Sequence, residues 1–254
     1  MAALAEVPRP PELTRPNQWL LAVAVVLIVM PAHPVYSQCP FVSSGVVSSD
    51  WERTGAFPPG FLLGVGTSSH QVEGDNTNND WWVFETRSWG ILGLGHDPST
   101  VADSRQALRH FNLDVLRADL DRAQSLGLNC YRMSLEWSRI EPTKTGGFDP
   151  AAIDYYKAVL DEILARGMKP IVGLNHYTLP LWILNPADHG SFPGWTEDRT
   201  SDIVNRFALY AARMAQELGS RVDYWTTLNE PSGQILASYA AGVWSPGPVS
   251  LTRW

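Results

Sequence analysis

Glu230 closes the run Thr227-Leu228-Asn229-Glu230, a carboxylate placed directly after an amide at the end of an apolar, strand-like segment. The same design recurs three times. Residues 61–68 run into Ser69-His70-Gln71, residues 130–135 run into Glu136, and residues 168–174 run into Asn175-His176. Carboxylates at such positions can donate and accept protons, and amides and imidazoles hydrogen-bond hydroxyl groups. The 11 Trp and 8 Tyr supply apolar faces, useful first as core and second as platforms for sugar rings. Together these groups suit a hydroxyl-rich, carbohydrate-like ligand.

Signals for other chemistries are missing. The sequence has no GxSxG elbow, no P-loop and no HExxH. The six His stand at no zinc-ligand spacing, and the two Cys, Cys39 and Cys130, form no CxxC, so no metal site is expected. Gly64-Val65-Gly66 has Ser69 where the third glycine of a dinucleotide fingerprint would fall. The formal net charge of −7 opposes the basic face that nucleic acid requires.

The elements that must position these residues follow from periodicity. Residues 61–68 read as a strand buried on both faces, and 75–80 as a solvated loop. Leu108, Phe111, Val115, Leu116, Leu120 and Ala123 share one stripe of a helix over 104–126, which Gly127 ends. A strand is expected at 130–137. Asp149-Pro150 caps a helix running to 164. A further strand covers 168–176, a helix 196–218 buries Ile203, Phe207, Tyr210, Ala211, Met214 and Leu218, and a fourth strand covers 222–230. A last helix starts within 232–240. Strands separated by helices imply parallel pairing and an α/β fold. In an α/β barrel the C-terminal strand ends meet at one pocket, which fits the four polar ends. A doubly wound sheet is the alternative.

Residues 19–30 (WLLAVAVVLIVM) are uninterruptedly apolar but short of the roughly 20 residues of a membrane span. With Val35-Tyr36-Ser37 as a cleavage context, 1–37 reads as a signal peptide or signal anchor, and 38–56 as a linker. The expected location is secreted or membrane-anchored outside the cytoplasm. Pro8, Pro10, Pro11 and Pro16, with arginines cancelled by acids, leave a mistaken gene start and a cytoplasmic chain as the rival. Export would permit a Cys39–Cys130 disulfide; two unpaired thiols are the plainer reading.

From Phe57 to Gly247 the sequence resembles the N-terminal half of glycoside hydrolase family 1, the retaining β-glucosidase and β-galactosidase type. The resemblance rests on Phe57-Pro58-Pro59-Gly60-Phe61-Leu62-Leu63-Gly64 through Ser68-Ser69-His70-Gln71-Val72-Glu73-Gly74, on Tyr131-Arg132-Met133-Ser134-Leu135-Glu136-Trp137-Ser138-Arg139-Ile140-Glu141-Pro142, and on Leu174-Asn175-His176-Tyr177-Thr178-Leu179-Pro180. Thr227-Leu228-Asn229-Glu230-Pro231 and Trp244-Ser245-Pro246-Gly247 complete it. It implies a (β/α)8 TIM-barrel fold, with about the first four βα units in residues 57–254. It also implies hydrolysis of O-glycosyl bonds in β-glycosides, with a carbohydrate substrate and no cofactor.

Residue by residue, the resemblance makes Glu230 the general acid/base. It puts Asn229 at the sugar 2-hydroxyl, Gln71 and His176 at hydroxyls across the glycone ring, and Arg132 beside the nucleophile carboxylate. Tyr177 stands at a substrate-binding position where many members have Trp, and Ser232 also replaces a common Trp. The plainer readings are strand-end polar residues for Gln71 and His176 and an ion pair, for instance with Glu230, for Arg132. Glu73, Glu136 and Glu141 read as structural, and Trp81, Trp82 and Trp137 as core or wall. No Glu-Asn-Gly nucleophile motif occurs. The chain therefore reads as a fragment whose nucleophile half is missing, or as half of a two-polypeptide enzyme with a complementary C-terminal half. A non-catalytic glycan-binding or interaction module derived from the enzyme is the alternative.

Overall fold

The computed structural model describes residues 57–86, 89–91, 94–96, 104–145, 147–187, 194–195 and 200–247. The apolar run at 19–30, the 38–56 linker and Cys39 lie outside the described residues.

In chain order the elements are β1 (Gly64–Gly66), α1 (Ser69–Val72), α2 (Asp80–Glu85), β2 (Trp89–Ile91), β3 (Leu94–His96), α3 (Leu113–Ser125), β4 (Cys130–Ser134), α4 (Trp137–Ile140), α5 (Pro150–Ala165), β5 (Lys169–Asn175), α6 (Thr200–Leu218), β6 (Tyr224–Leu228) and α7 (Pro231–Gln234). A π turn, Ile235–Ala240, follows α7. Strands β1, β4, β5 and β6 form one sheet in that order, every neighbouring pair parallel. The hairpin β2–β3 is antiparallel and has no counterpart in the sequence expectations.

The long helices form where capping and periodicity agree. Asn112 accepts from Asp114 N–H at the start of α3, and Asp149 accepts from Ala151 N–H ahead of Pro150 in α5. The inner face of α5 carries Ala152, Ile153, Tyr156, Val159, Leu160 and Ile163, all buried. It packs with Leu116 and Leu120 of α3 and Tyr210 and Met214 of α6 over Tyr131, Met133, Val172 and Leu174 of the sheet. Each fully buried Leu, Ile or Val contributes about 1.5–3 kcal/mol by leaving water.

Four expectations are corrected. Strand β1 is not buried on both faces: Leu63 and Val65 are 45% and 43% exposed, because β1 is the sheet's edge among the described residues. Its glycine is a packing requirement, since a Cβ on Gly64 would collide with the carbonyl and Sγ of Cys130 on the next strand. The helix expected over 104–126 begins only at Leu113. Arg109 takes φ 61°, and His110 and Phe111 donate their N–H groups to Val72 and Glu73 carbonyls, so Leu108 stays exposed. The strand expected over 130–137 stops at Ser134, because Glu136 caps α4 instead. The 75–80 segment is not a solvated loop. Asn76, Asn79 and Asp80 are buried, with Asn79 capping α2 and Asp80 accepting from Leu179 N–H at 2.6 Å.

Candidate functional site

Parallel pairing sends all four strands out of the sheet at one end. Arg132 sits in register with Gly66 of β1 and Ile171 of β5, and Asn175 with Leu228 of β6. The Asn229 N–H then donates to the Asn175 carbonyl at 3.0 Å, extending the β5–β6 ladder one step into the site. The Arg132 guanidinium donates to the Asn229 side-chain oxygen at 2.6 Å across the sheet. The plainer reading of Arg132, an ion pair such as one with Glu230, gives way to this contact with the neighbouring Asn229.

Tyr177 and Glu230 leave their strands in the left-handed backbone region, with φ of 72° and 44°. For side chains with a Cβ this costs about 1–3 kcal/mol each and persists only where surrounding contacts hold it. Those contacts are present. The Tyr177 hydroxyl donates to Glu230 Oε2, and buried Gln234 donates to the Tyr177 carbonyl at 2.8 Å. The Tyr177 ring clusters with Trp81, stacked at 6.0 Å, and Trp244 at 5.0 Å, which touch each other at 5.7 Å. Burial and the Glu230 carboxylate push its phenol up to about 12.

His176 packs its ring against Tyr177 at 4.7 Å. Burial, then the nearby Arg132 charge, lowers its imidazole to about 4, so it is neutral at pH 7. Its Nδ1 is buried with no hydrogen-bond partner among the described residues, as is Nε1 of Trp81. A buried polar atom left unpaired is costly, and a ligand hydroxyl would relieve that cost. Gln71 stands apart from this cluster. It lies exposed on α1, with its Oε1 accepting from Ser68 Oγ at 2.7 Å. The structure therefore brings together Arg132, Asn229, Glu230, Tyr177 and His176, and joins Gln71 to none of them by a hydrogen bond.

Besides Asp80, the carboxylates of Glu73, Glu136 and Glu141 are buried and engaged by partners of their own. Glu136 accepts from Ser69 Oγ at 3.0 Å, Ser138 Oγ at 2.7 Å and Thr178 Oγ1 at 3.1 Å, joining the ends of β1, β4 and β5. Glu73 accepts from Tyr156 at 2.7 Å and Arg139 Nε at 2.9 Å, and burial pushes it up to about 7 against the pull of Arg139. Glu141 pairs with Arg206 and with Trp137 Nε1. Trp137 is core, 1% exposed, while Trp81 walls the site.

Gln234 was not singled out from the sequence, Trp81 was read as core or wall, and Trp244 entered only through the Trp244-Ser245-Pro246-Gly247 segment. Gln234 had a legible signal, since it lies four residues after Glu230 and its N–H returns to the Glu230 carbonyl. Nothing in the sequence joined the two tryptophans to Tyr177, because contacts across 96 and 67 residues leave no local pattern. Among the described residues no helix is long and apolar enough to cross a membrane.

Comparison with known proteins fits this geometry. A family model described as Glycosyl hydrolase family 1 matches residues 53–253. Beta-glucosidase 11 of Arabidopsis thaliana is 34% identical over 199 residues, covering 76% of this chain and 34% of the relative. A protein of Oryza sativa subsp. japonica named "Probable inactive beta-glucosidase 14" is 30% identical over 236 residues, covering 91% of this chain and 41% of the relative. The crystal structure of a rice β-glucosidase superposes with a TM-score of 0.66 at 30% identity, covering 78% of this chain and 39% of that one. The chain thus spans about two fifths of the length of the proteins it matches, and its four parallel strands correspond to the N-terminal part of a TIM barrel.

Proposed function

The chain belongs to glycosyl hydrolase family 1, and from that premise we propose that it carries the acid/base side of a retaining β-glycosidase site. The observation that supports this reading best is the placement of Glu230 at the C-terminal end of β6, hydrogen-bonded by Tyr177 and adjacent to Arg132-bound Asn229. Glu230 protonates the glycosidic oxygen as the leaving group departs and then takes a proton from the attacking water. Asn229 and the free nitrogen of neutral His176 hold sugar hydroxyls. Gln71 serves the same ring from the β1 end. Arg132 keeps the nucleophile region positive.

Retaining hydrolysis needs a second carboxyl about 5–5.5 Å from the first. Glu73, Glu136 and Glu141 are committed to buried partners of their own, so none of them is assigned that role. In this proposal the nucleophile comes from the remainder of the family's length, in the same polypeptide or a complementary one. Export through the 19–30 segment places the activity outside the cytoplasm.

The test is hydrolysis of a 4-nitrophenyl β-glucoside by this sequence joined or complemented by the remainder of the family's length, with and without Glu230→Gln. The substitution is expected to lower turnover at least about 100-fold, the usual contribution of a positioned acid/base group. Equal rates would overturn the assignment. A second reading, glycan binding without turnover, is favoured by the kinship with a relative named as inactive. It predicts saturable sugar binding by calorimetry and no hydrolysis by a chain with native circular dichroism.

A further inference from the structure

Tyr177 and Glu230 face each other from the ends of β5 and β6, each in a left-handed backbone conformation and each turned toward the other's side chain. The aromatic contacts also restrict what Tyr177 can do. Trp81 and Trp244, themselves in contact at 5.7 Å, pack against its ring and hold its orientation. The Tyr177 hydroxyl is spent on Glu230 Oε2. Gln234 fixes the Tyr177 carbonyl and lies on the helical turn that Glu230 begins, so the two loops are tied twice. Such a double tie between two strained positions is more than a satisfied phenol requires.

We propose that Tyr177 is a positioning residue for Glu230: its phenol holds one carboxylate oxygen, Oε2, and leaves Oε1 to face the reacting oxygen. In this proposal Tyr177 acts through Glu230, a role distinct from the substrate contact that the family resemblance implies. It rests on the acid/base reading of Glu230 for its catalytic meaning, but the contact itself can be tested without any substrate. A hydrogen bond donated to a carboxylate favours the charged form, so Tyr177 assists the step in which Glu230 gives its proton to the leaving group and resists the step in which it takes one from water. The other charged or titratable groups facing the pair are Arg132 from β4 and His176 from the end of β5, with the Asn229 amide beside them.

The experiment is 19F NMR of the chain labelled with 3-fluorotyrosine, whose phenol ionises at lower pH than that of tyrosine. The resonance lost in Tyr177→Phe identifies position 177. In Glu230→Gln that resonance is expected to titrate about one pH unit lower, a tenfold change in the ionised fraction, because the neighbouring negative charge is gone. An unchanged midpoint would overturn the proposal. A control needing no substitution at Glu230 guards against misfolding: in the native chain the same resonance must shift on acidification, when the carboxylate takes its proton, and a flat acid limb would equally overturn it. Where the protein turns over substrate, Tyr177→Phe is expected to move the alkaline limb of kcat to higher pH with KM little changed. An unmoved limb would sink the catalytic consequence while the fluorine titration still decides the contact. Loss of the acid/base reading would be seen separately, as full activity in Glu230→Gln.

Discussion

Glu73 is the residue whose chemistry is easiest to misread. It sits in a motif beside the site, it is fully buried, and burial lifts it to about 7. Those features also describe a catalytic acid, yet its oxygens face Tyr156 and Arg139 and not the strand-end pocket. Its effect is on stability. Between the unfolded value near 4.5 and about 7, the folded chain keeps a proton that the unfolded chain has released, so this group lowers stability as pH rises through that window. Glu73→Gln should remove that slope: urea denaturation at pH 5 and pH 7.5 should show a smaller loss of stability with rising pH than in the native chain. An identical pH dependence would mean that Arg139 keeps Glu73 ionised throughout. His70 adds to the same trend. Burial alone would lower its imidazole, but Glu85, Glu136 and Asp80 raise it, so its contribution is present at low pH and is lost as pH rises past its ordinary 6.5.

At the scale of elements, α5 is the keystone of the described sheet. Its cap, its first-turn proline and its apolar stripe all agree, and its buried face meets β4, β5 and the helices on either side. Leu160→Ala removes a fully buried side chain from the middle of that face and should cost about 2–5 kcal/mol in chemical denaturation. Asp149→Ala, which loses only the cap, should cost about 1 kcal/mol. A reversed order of these two costs would show that α5 is held by its end and not by its packing. The exposed ion pairs on the outer helix faces, such as Arg117 with Asp114, are worth little beside this burial.

The whole molecule is uneven from centre to edge. Strands β4 and β5 are mostly buried, whereas β1 is exposed along its length and β6 along much of it. A parallel edge with exposed Leu63 and Val65 invites pairing with another chain, and a lysine there opposes it. Val65→Lys should therefore reduce concentration-dependent light scattering of the purified chain with little change in its thermal midpoint. Undiminished scattering would locate any self-association elsewhere. The net charge of −7 keeps copies apart at low salt and should make such association stronger as salt rises.

Local patterning by itself determined the β-α-β order, the cap and stripe of α5, the inner face of α6 and the polar ends of four strands. These depend on residues within a turn or two of each other, so the chain writes them in spacing. The family resemblance, and not local patterning, marked Arg132 and Tyr177, while His176, Asn229 and Glu230 also stood out as strand-end polar residues. Only the tertiary structure decided which of these touch. Arg132 bonds Asn229 across 97 residues, Tyr177 reaches Glu230 across 53, and Gln71 turns to its neighbour Ser68. It also decided that Asn76, Asn79 and Asp80 are buried and that β1 is the sheet's edge among the described residues, because burial depends on which distant elements arrive to cover a surface. Spacing records what a residue can do, and packing selects the partner it does it with.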